Sequence, residues 1–208
     1  MMIALTFDDG PNTMITPQVL DILEENGIVA SFFLIAQNIN DESAEAVRRA
    51  KAMGCDIENH SLTHGFMDKM SPEQIREEVK VCTDRIVAIT GEKPKFFRPP
   101  FIALNQTMYD NIDLTFICGA GCEDWVPTVS AQERIDRVLA NAEDGQIVLL
   151  HDMPYNFNTV EAIKVIIPEL KKRGFEFVTV SQLFEKSGVI PVRNRLYTNV
   201  YQTVDRIM

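Results

Sequence analysis

Apolar residues in this chain come in short, nearly continuous blocks separated by longer stretches in which they recur at helical spacing. The blocks predict strands over 2–5, 28–35, 55–58, 95–98, 114–118, 146–150 and 175–180. The intervening stretches predict helices over 16–26, 41–53, 71–90, 105–111, 130–142, 159–173 and 181–186. Local signals mark several of the boundaries. Thr16-Pro17 opens the first helix and Gly27 stops it, Asp41 is the expected cap of the second, and Gly54 ends that one. Ser71 with Gln74 reads as a capping box, with Pro72 at the first helical position, and Ser130 precedes Glu133 by the same three residues.

Strands this uniformly apolar belong to a parallel sheet covered on both faces. Their alternation with helices predicts an α/β fold, a distorted (β/α) barrel of about seven parallel strands, complete or not. A doubly wound open sheet is the runner-up, weakened because no Gly-x-Gly-x-x-Gly follows any strand. Residues 189–208, with Pro191, Arg193 and Arg195, read as a tail packed on the barrel or linking to another module.

Composition narrows the partners. The 208 residues suffice for one large domain with a full core, and the net charge is −10. With no Lys/Arg-rich run, nucleic acid and anionic membranes are excluded as partners, and a neutral polymer suits the surface better. Cys55, Cys82, Cys118 and Cys122 lack paired zinc spacing and read as buried small hydrophobes. No apolar run is long enough to span a membrane and no cationic leader precedes one. The first strand begins at Met2, as in a trimmed domain or a cytosolic start.

The chemistry gathers at the strand ends. Asp8-Asp9 closes the first strand before the breaker Gly10-Pro11, His60 and His64 follow the third, and Arg98 ends the fourth before Pro99-Pro100. Asp124-Trp125 and His151-Asp152 come later, and all three histidines of the chain are in this set. In a parallel barrel, C-terminal strand ends share one face, where active sites are built. Two adjacent carboxylates disfavour each other's ionisation unless a cation or a donor is present; the alternative reading of Asp8-Asp9 is a helix N-cap cluster. His60 and His64 with one carboxylate make a three-ligand set with an open position, the pattern of a catalytic metal, non-haem iron included. Leu149 and His151 share one side of their strand, so an apolar wall adjoins a titratable imidazole. A buried Arg98 near two carboxylates is a holder for one of them.

Taken together, Thr6-Phe7-Asp8-Asp9-Gly10-Pro11, His60-Ser61-Leu62-Thr63-His64, Arg98-Pro99-Pro100, Asp124-Trp125 and Leu149-Leu150-His151 resemble the polysaccharide deacetylases of carbohydrate esterase family 4. The pieces occur in the family's order and span residues 2 to about 186. The resemblance implies a catalytic domain over 1–188 and a metal-dependent hydrolase that removes acetyl groups from a carbohydrate polymer. It implies that Asp9, His60 and His64 bind one divalent metal ion, zinc first, with cobalt or nickel as substitutes. Asp8 would be the general base, His151 the general acid, and Arg98 the residue orienting Asp8. Phe101, Asp124, Trp125 and Leu149 would form the substrate pocket, with Trp125 and Leu149 against the acetyl methyl and a backbone N–H near Phe101 on the oxyanion.

Two departures from the family pattern stand out. Phe101-Ile102 replaces the usual Tyr-Gly, and Gly121 stands where an Asp held to tune the acid histidine is usual. Either Glu123 or Asp152 substitutes for that Asp, or His151 is untuned. Both departures resemble the branch containing clostridial acetylxylan esterases attached to xylanases, as do Asp124-Trp125-Val126-Pro127 and Phe175-Glu176-Phe177-Val178-Thr179. The expected activity is therefore O-deacetylation of acetylated xylan by a secreted protein with attached glycoside hydrolase or carbohydrate-binding modules. N-deacetylation of peptidoglycan or chitin oligosaccharides is the close alternative. An inactive carbohydrate-binding barrel and a non-haem iron oxygenase are the alternatives from other classes.

Overall fold

A computed structural model describes residues 1–192 and 194–202. Residues 193 and 203–208 of the expected tail lie outside the described residues. Among those described are nine strands and seven α-helices. In chain order they are β1 Met2–Asp8, α1 Thr16–Glu25, β2 Ser31–Leu34, α2 Ser43–Ala52, β3 Asp56–Asn59, α3 Pro72–Thr90, β4 Phe96–Phe97 and α4 Gln106–Asn111. There follow β5 Thr115–Ile117, β6 Ala120–Gly121, α5 Ala131–Asn141, β7 Gln146–His151, α6 Phe157–Lys172, β8 Glu176–Phe177, α7 Val180–Ser187 and β9 Leu196–Tyr197.

All the strands pair in parallel in one curled sheet, ordered β6-β7-β1-β2-β3-β4-β5-β9, with β8 also on β1. β7 runs along one whole edge of β1, whereas β2 takes Thr6–Asp8 and β8 takes Met2–Ile3 on the other edge. The residues after β9 bridge to β7: Ile147 N–H donates to Thr198 O at 3.1 Å and Val200 N–H to Gly145 O at 2.9 Å. The sheet thereby closes into a barrel, which disposes of the doubly wound alternative.

Alternation along the two central strands explains why they are apolar throughout. Ile3, Leu5 and Phe7 pack with Val148 and Leu150 in the cluster that includes α1 and α6 side chains. Ala4, Thr6 and Asp8 face the other way, in register with Ile147, Leu149 and His151. Ala4 and Ile147 belong to the inner apolar layer with Phe33 and Tyr197. The inward side thus changes from apolar below to charged at the mouth within three residue pairs.

Three local expectations need correction. Asp41 does not cap α2: Asn40 Oδ1 instead accepts from the backbone N–H groups of Glu42 and Ser43, both at 3.0 Å. The last predicted strand ends before Val180, because Thr179 and Gln182 form a capping box that starts α7 there. β6 and β9, two residues each, are additional strands. The boxes at Ser71/Gln74 and Ser130/Glu133 are both present as read.

Candidate active site

The ladder extends one residue beyond several strands and so fixes the side chains at the mouth. His60 N–H donates to Leu34 O, Arg98 N–H to Asn59 O and Asp152 N–H to Asp8 O. Asp8 and His151, the last residues of β1 and β7, face each other in register. Between them Asp9 turns into the left-handed region, φ 73°, as do His64 at 59°, Phe101 at 57° and Ile102 at 53°. Such backbone is costly for side-chain-bearing residues and persists where surrounding contacts enforce it, commonly at functional sites. All four line one cleft of about 440 Å³ together with Asp8, His60, Trp125, Leu149 and His151. The helix-cap reading of Asp8-Asp9 does not hold: α1 begins at Thr16, beyond their reach.

Asp9, His60 and His64 converge. Nε2 of each imidazole lies 3.4 Å from Asp9 Oδ1, and one ligand atom from each residue fits within a 4.8 Å group. Asp9 Oδ1 is buried and has no well-formed hydrogen bond from any donor. His60 Nδ1 sits 2.7 Å from Arg98 O; a carbonyl can only accept, so Nδ1 carries a proton and Nε2 is the nitrogen turned to Asp9. Burial and the neighbouring His60 lower the His64 pKa, leaving its imidazole neutral. Burial works against the Asp9 carboxylate, but His60, His151 and His64 outweigh it and hold its pKa at about 2. One carboxylate and two imidazoles that turn Nε2 toward a shared, undonated oxygen fit one divalent metal ion.

The ligand loop is tied down by a residue the sequence reading missed. Glu78 on α3 accepts from the backbone N–H groups of Leu62 and Thr63 at 3.0 and 2.8 Å, and from Thr63 Oγ1 at 2.8 Å. The available signal was its place on the buried stripe Ile75, Glu78, Cys82, where a carboxylate needs partners.

Asp8 and His151 each have a buried holder. Arg98, wholly buried, places Nη1 2.5 Å from Asp8 Oδ1 and its guanidinium 4.1 Å from the Phe33 ring. His151 Nδ1 lies 2.8 Å from Asp124 Oδ1, and His151 N–H donates to Asp124 Oδ2 at 2.7 Å. Thr159 Oγ1 donates to the same Oδ2 at 2.8 Å, and Asn156 bonds His151 O at 2.9 Å. Arg134 in turn holds Asn156 and Thr159, at 2.5 and 2.8 Å. Burial alone would depress the His151 pKa; the Asp124 hydrogen bond and charge, with Asp8 and Asp9, raise it to about 9.

This arrangement corrects two expectations. Asp124 is not on the pocket surface: it is completely buried behind His151, because its carboxylate is consumed by four donors. His151 is also not untuned, and neither offered substitute is its partner. Glu123 pairs with Arg137 at 2.5 Å, and Asp152 Oδ2 accepts from Thr16 Oγ1 at 2.5 Å. Burial, with repulsion from Asp9 and Asp8 and some relief from Thr16, pushes the Asp152 pKa up to about 7.

The remaining predicted residues are at the cleft. Trp125 is 45 % exposed with its ring 5.5 Å from His151, and Leu149 lines the same cleft. Phe101 sits between His64 and Phe66, at centroid distances of 4.5 and 4.2 Å. The four cysteines are free and buried. No helix among the described residues is long and apolar enough to cross a membrane.

Comparison with known proteins agrees with this geometry. Residues 1–115 match the family model described as polysaccharide deacetylase. A bifunctional xylanase/deacetylase of Pseudobutyrivibrio xylanivorans is 49 % identical over 200 residues, which is 96 % of this chain and 33 % of that protein. The chain thus spans about a third of the length of that curated relative. The Xyl-CE4 domain of a multidomain xylanase from the hindgut metagenome of Trinervitermes trinervoides superposes with a TM-score of 0.94 at 48 % identity, covering 96 % of this chain and 97 % of that one. A family 4 acetyl xylan esterase from Clostridium thermocellum, in complex with a cobalt ion, gives a TM-score of 0.94 at 40 % identity over 97 % and 100 % of the two chains. The matched family model, these near-complete superpositions and the Asp-His-His cluster at the barrel mouth agree, and the chain belongs to the polysaccharide deacetylases, a family of carbohydrate esterases.

Proposed function

We propose that the protein is an acetylxylan esterase, removing O-acetyl groups from xylan. The observation that carries a hydrolytic reading is the pairing across one ligand set: Asp8 clamped by Arg98 on one side, His151 clamped by Asp124 on the other. Xylan is favoured over aminosugar polymers because relatives at 40 to 49 % identity are named a bifunctional xylanase/deacetylase, a domain of a multidomain xylanase and an acetyl xylan esterase. The acid histidine does not discriminate, since an imidazolium with a pKa of about 9 can protonate an alkoxide or an amine.

Asp9, His60 and His64 would hold one metal ion, zinc first by its preference for two imidazoles and a carboxylate. When bound, the metal supplies Lewis acidity to water and to the acetyl carbonyl. The chain's own groups do the rest. Arg98 occupies Asp8 Oδ1, which leaves the other oxygen to take the proton of the attacking water. The N–H near Phe101 would face the developing oxyanion. Asp124 accepts from Nδ1, so His151 keeps a proton on Nε2, which it delivers to the departing sugar oxygen. Trp125 and Leu149 would exclude water around the acetyl methyl. The relatives' architecture favours a secreted protein in which xylanase or carbohydrate-binding modules adjoin this domain.

The test is acetate release from acetylated xylan and from N-acetylglucosamine oligomers, side by side. The proposal predicts a kcat/KM at least ~10-fold higher on xylan. A preference for the aminosugar would overturn it.

A further inference from the structure

Gly121 adjoins Trp125 and Leu149, the two residues assigned above to the acyl wall. It lines the cleft with Trp125, Leu149 and His151, and β6 sets it opposite Leu149 of β7. Of the ten glycines, seven have positive φ, the backbone that disfavours any other residue; Gly121 is not among them. Its backbone would accept a side chain, so the reason for its bareness lies in the space around it. A Cβ there would stand 3.3 Å from Trp125 Cζ3 and 3.8 Å from Leu149 Cδ2. That is the seam between the two apolar walls. Alanine would fill it and press the indole aside by a few tenths of an ångström. Gly119, which also lines the cleft, is bare too, its missing Cβ 3.0 Å from Leu149 Cβ. Backbone rather than side chain therefore floors the recess on both flanks of Leu149.

We propose that Gly121 sets the length of acyl chain the cleft accepts, and that the protein hydrolyses propionyl as well as acetyl esters of a carbohydrate. This rests on the assignment of Trp125 and Leu149 as the acyl wall in the function proposed above. The reaction is the same hydrolysis. Water gives its hydroxyl to the acyl carbon and its proton to the sugar oxygen as the acyl C–O bond breaks, leaving propionate and a free hydroxyl.

Two readouts test it. The first is kcat/KM on acetylated and propionylated xylo-oligosaccharides, for the metal-loaded wild type and Gly121→Ala. The second needs no turnover: Trp125 is the only tryptophan, so its fluorescence reports acetate and propionate binding in the recess itself. The wild type should hydrolyse the two esters with rates within ~10-fold, and Gly121→Ala should lower the propionyl-to-acetyl ratio by ~10-fold or more, the effect of one misplaced methylene in an apolar pocket. It should also weaken propionate more than acetate in the titration. A wild type with propionyl turnover ~100-fold below acetyl, or an unchanged ratio in the variant, overturns the inference. If neither ester is hydrolysed, the function reading fails and the titration still decides the recess. If the variant does not fold, the wild-type ratio decides.

Discussion

Replacing Asp124 by Asn keeps the shape of the side chain and removes its charge. In the wild type Oδ2 accepts from His151 N–H and Thr159 Oγ1, and from Asn156 at 3.4 Å, while Oδ1 faces His151 Nδ1. Three donors demand the carbonyl oxygen of Asn at the Oδ2 position, so its NH₂ group must face Nδ1. A donor there favours an accepting Nδ1 and disfavours the imidazolium, which carries a proton on both nitrogens. The His151 pKa should therefore fall from about 9 to its ordinary 6.5 or lower. A shift from 6.5 to about 9 represents ~3 kcal/mol of preference for the charged form. Because the wild-type value is raised, the acid form persists from low pH up to about 9 and is lost above it. At pH 8 the protonated fraction drops from ~90 % to ~3 %, so kcat/KM should fall ~30-fold from protonation alone. The descending limb of the pH–rate profile should move down by ~2 units, with less loss at pH 6 than at pH 8. Stability follows the same sign: the pairing's contribution is full below 6.5 and lost as pH rises through about 9. The assay is kcat/KM against pH on one acetyl ester, with folding and metal content verified. A variant whose descending limb stays within half a unit of the wild type would show that Asp124 does not hold the charge on His151.

Further substitutions separate the roles around the ligand set. Asp8→Asn should keep its metal and lose ~10²- to 10⁴-fold in kcat, whereas Asp9→Asn should lose metal affinity itself; elemental analysis of the purified variants distinguishes them, and equal metal loss in both contradicts the assignment. Arg98→Met removes the partner of a buried carboxylate, so it should cost ~3–5 kcal/mol and lower Tm by ~10 °C in calorimetry of the metal-free protein. An unchanged Tm would show that Asp8 is supported elsewhere.

The barrel was legible because both faces of its central strands are covered: Ile3, Leu5 and Phe7 meet helices while Ala4 meets the interior. A run with no polar face leaves few other folds. The mouth was legible for a related reason, since Asp8, His60, Arg98 and His151 each come at or just past the end of a strand. What escaped depends on pairings distant in sequence. β9 is two residues whose role is to close a gap between β5 and β7, a fact of backbone geometry that no side-chain pattern announces. Asp124 sits 27 residues from His151, so nothing local in the sequence announces that its carboxylate backs the imidazole while its neighbour Trp125 lines the cleft. The missing Asp at 121 drew attention to a charge that the structure supplies from Asp124. Asn40 displaced Asp41 as a cap because its carbonyl reaches two amides at once.

In the function proposed, carbohydrate deacetylation depends on one metal held by Asp9, His60 and His64. The most direct test is acetate release from acetylated xylan by chelator-stripped protein, titrated with zinc. No detectable release is expected without metal, with activity rising linearly to a break at one equivalent of zinc and no such recovery in His60→Ala. Full release by the stripped protein, or recovery in His60→Ala at the same equivalence, would contradict that dependence.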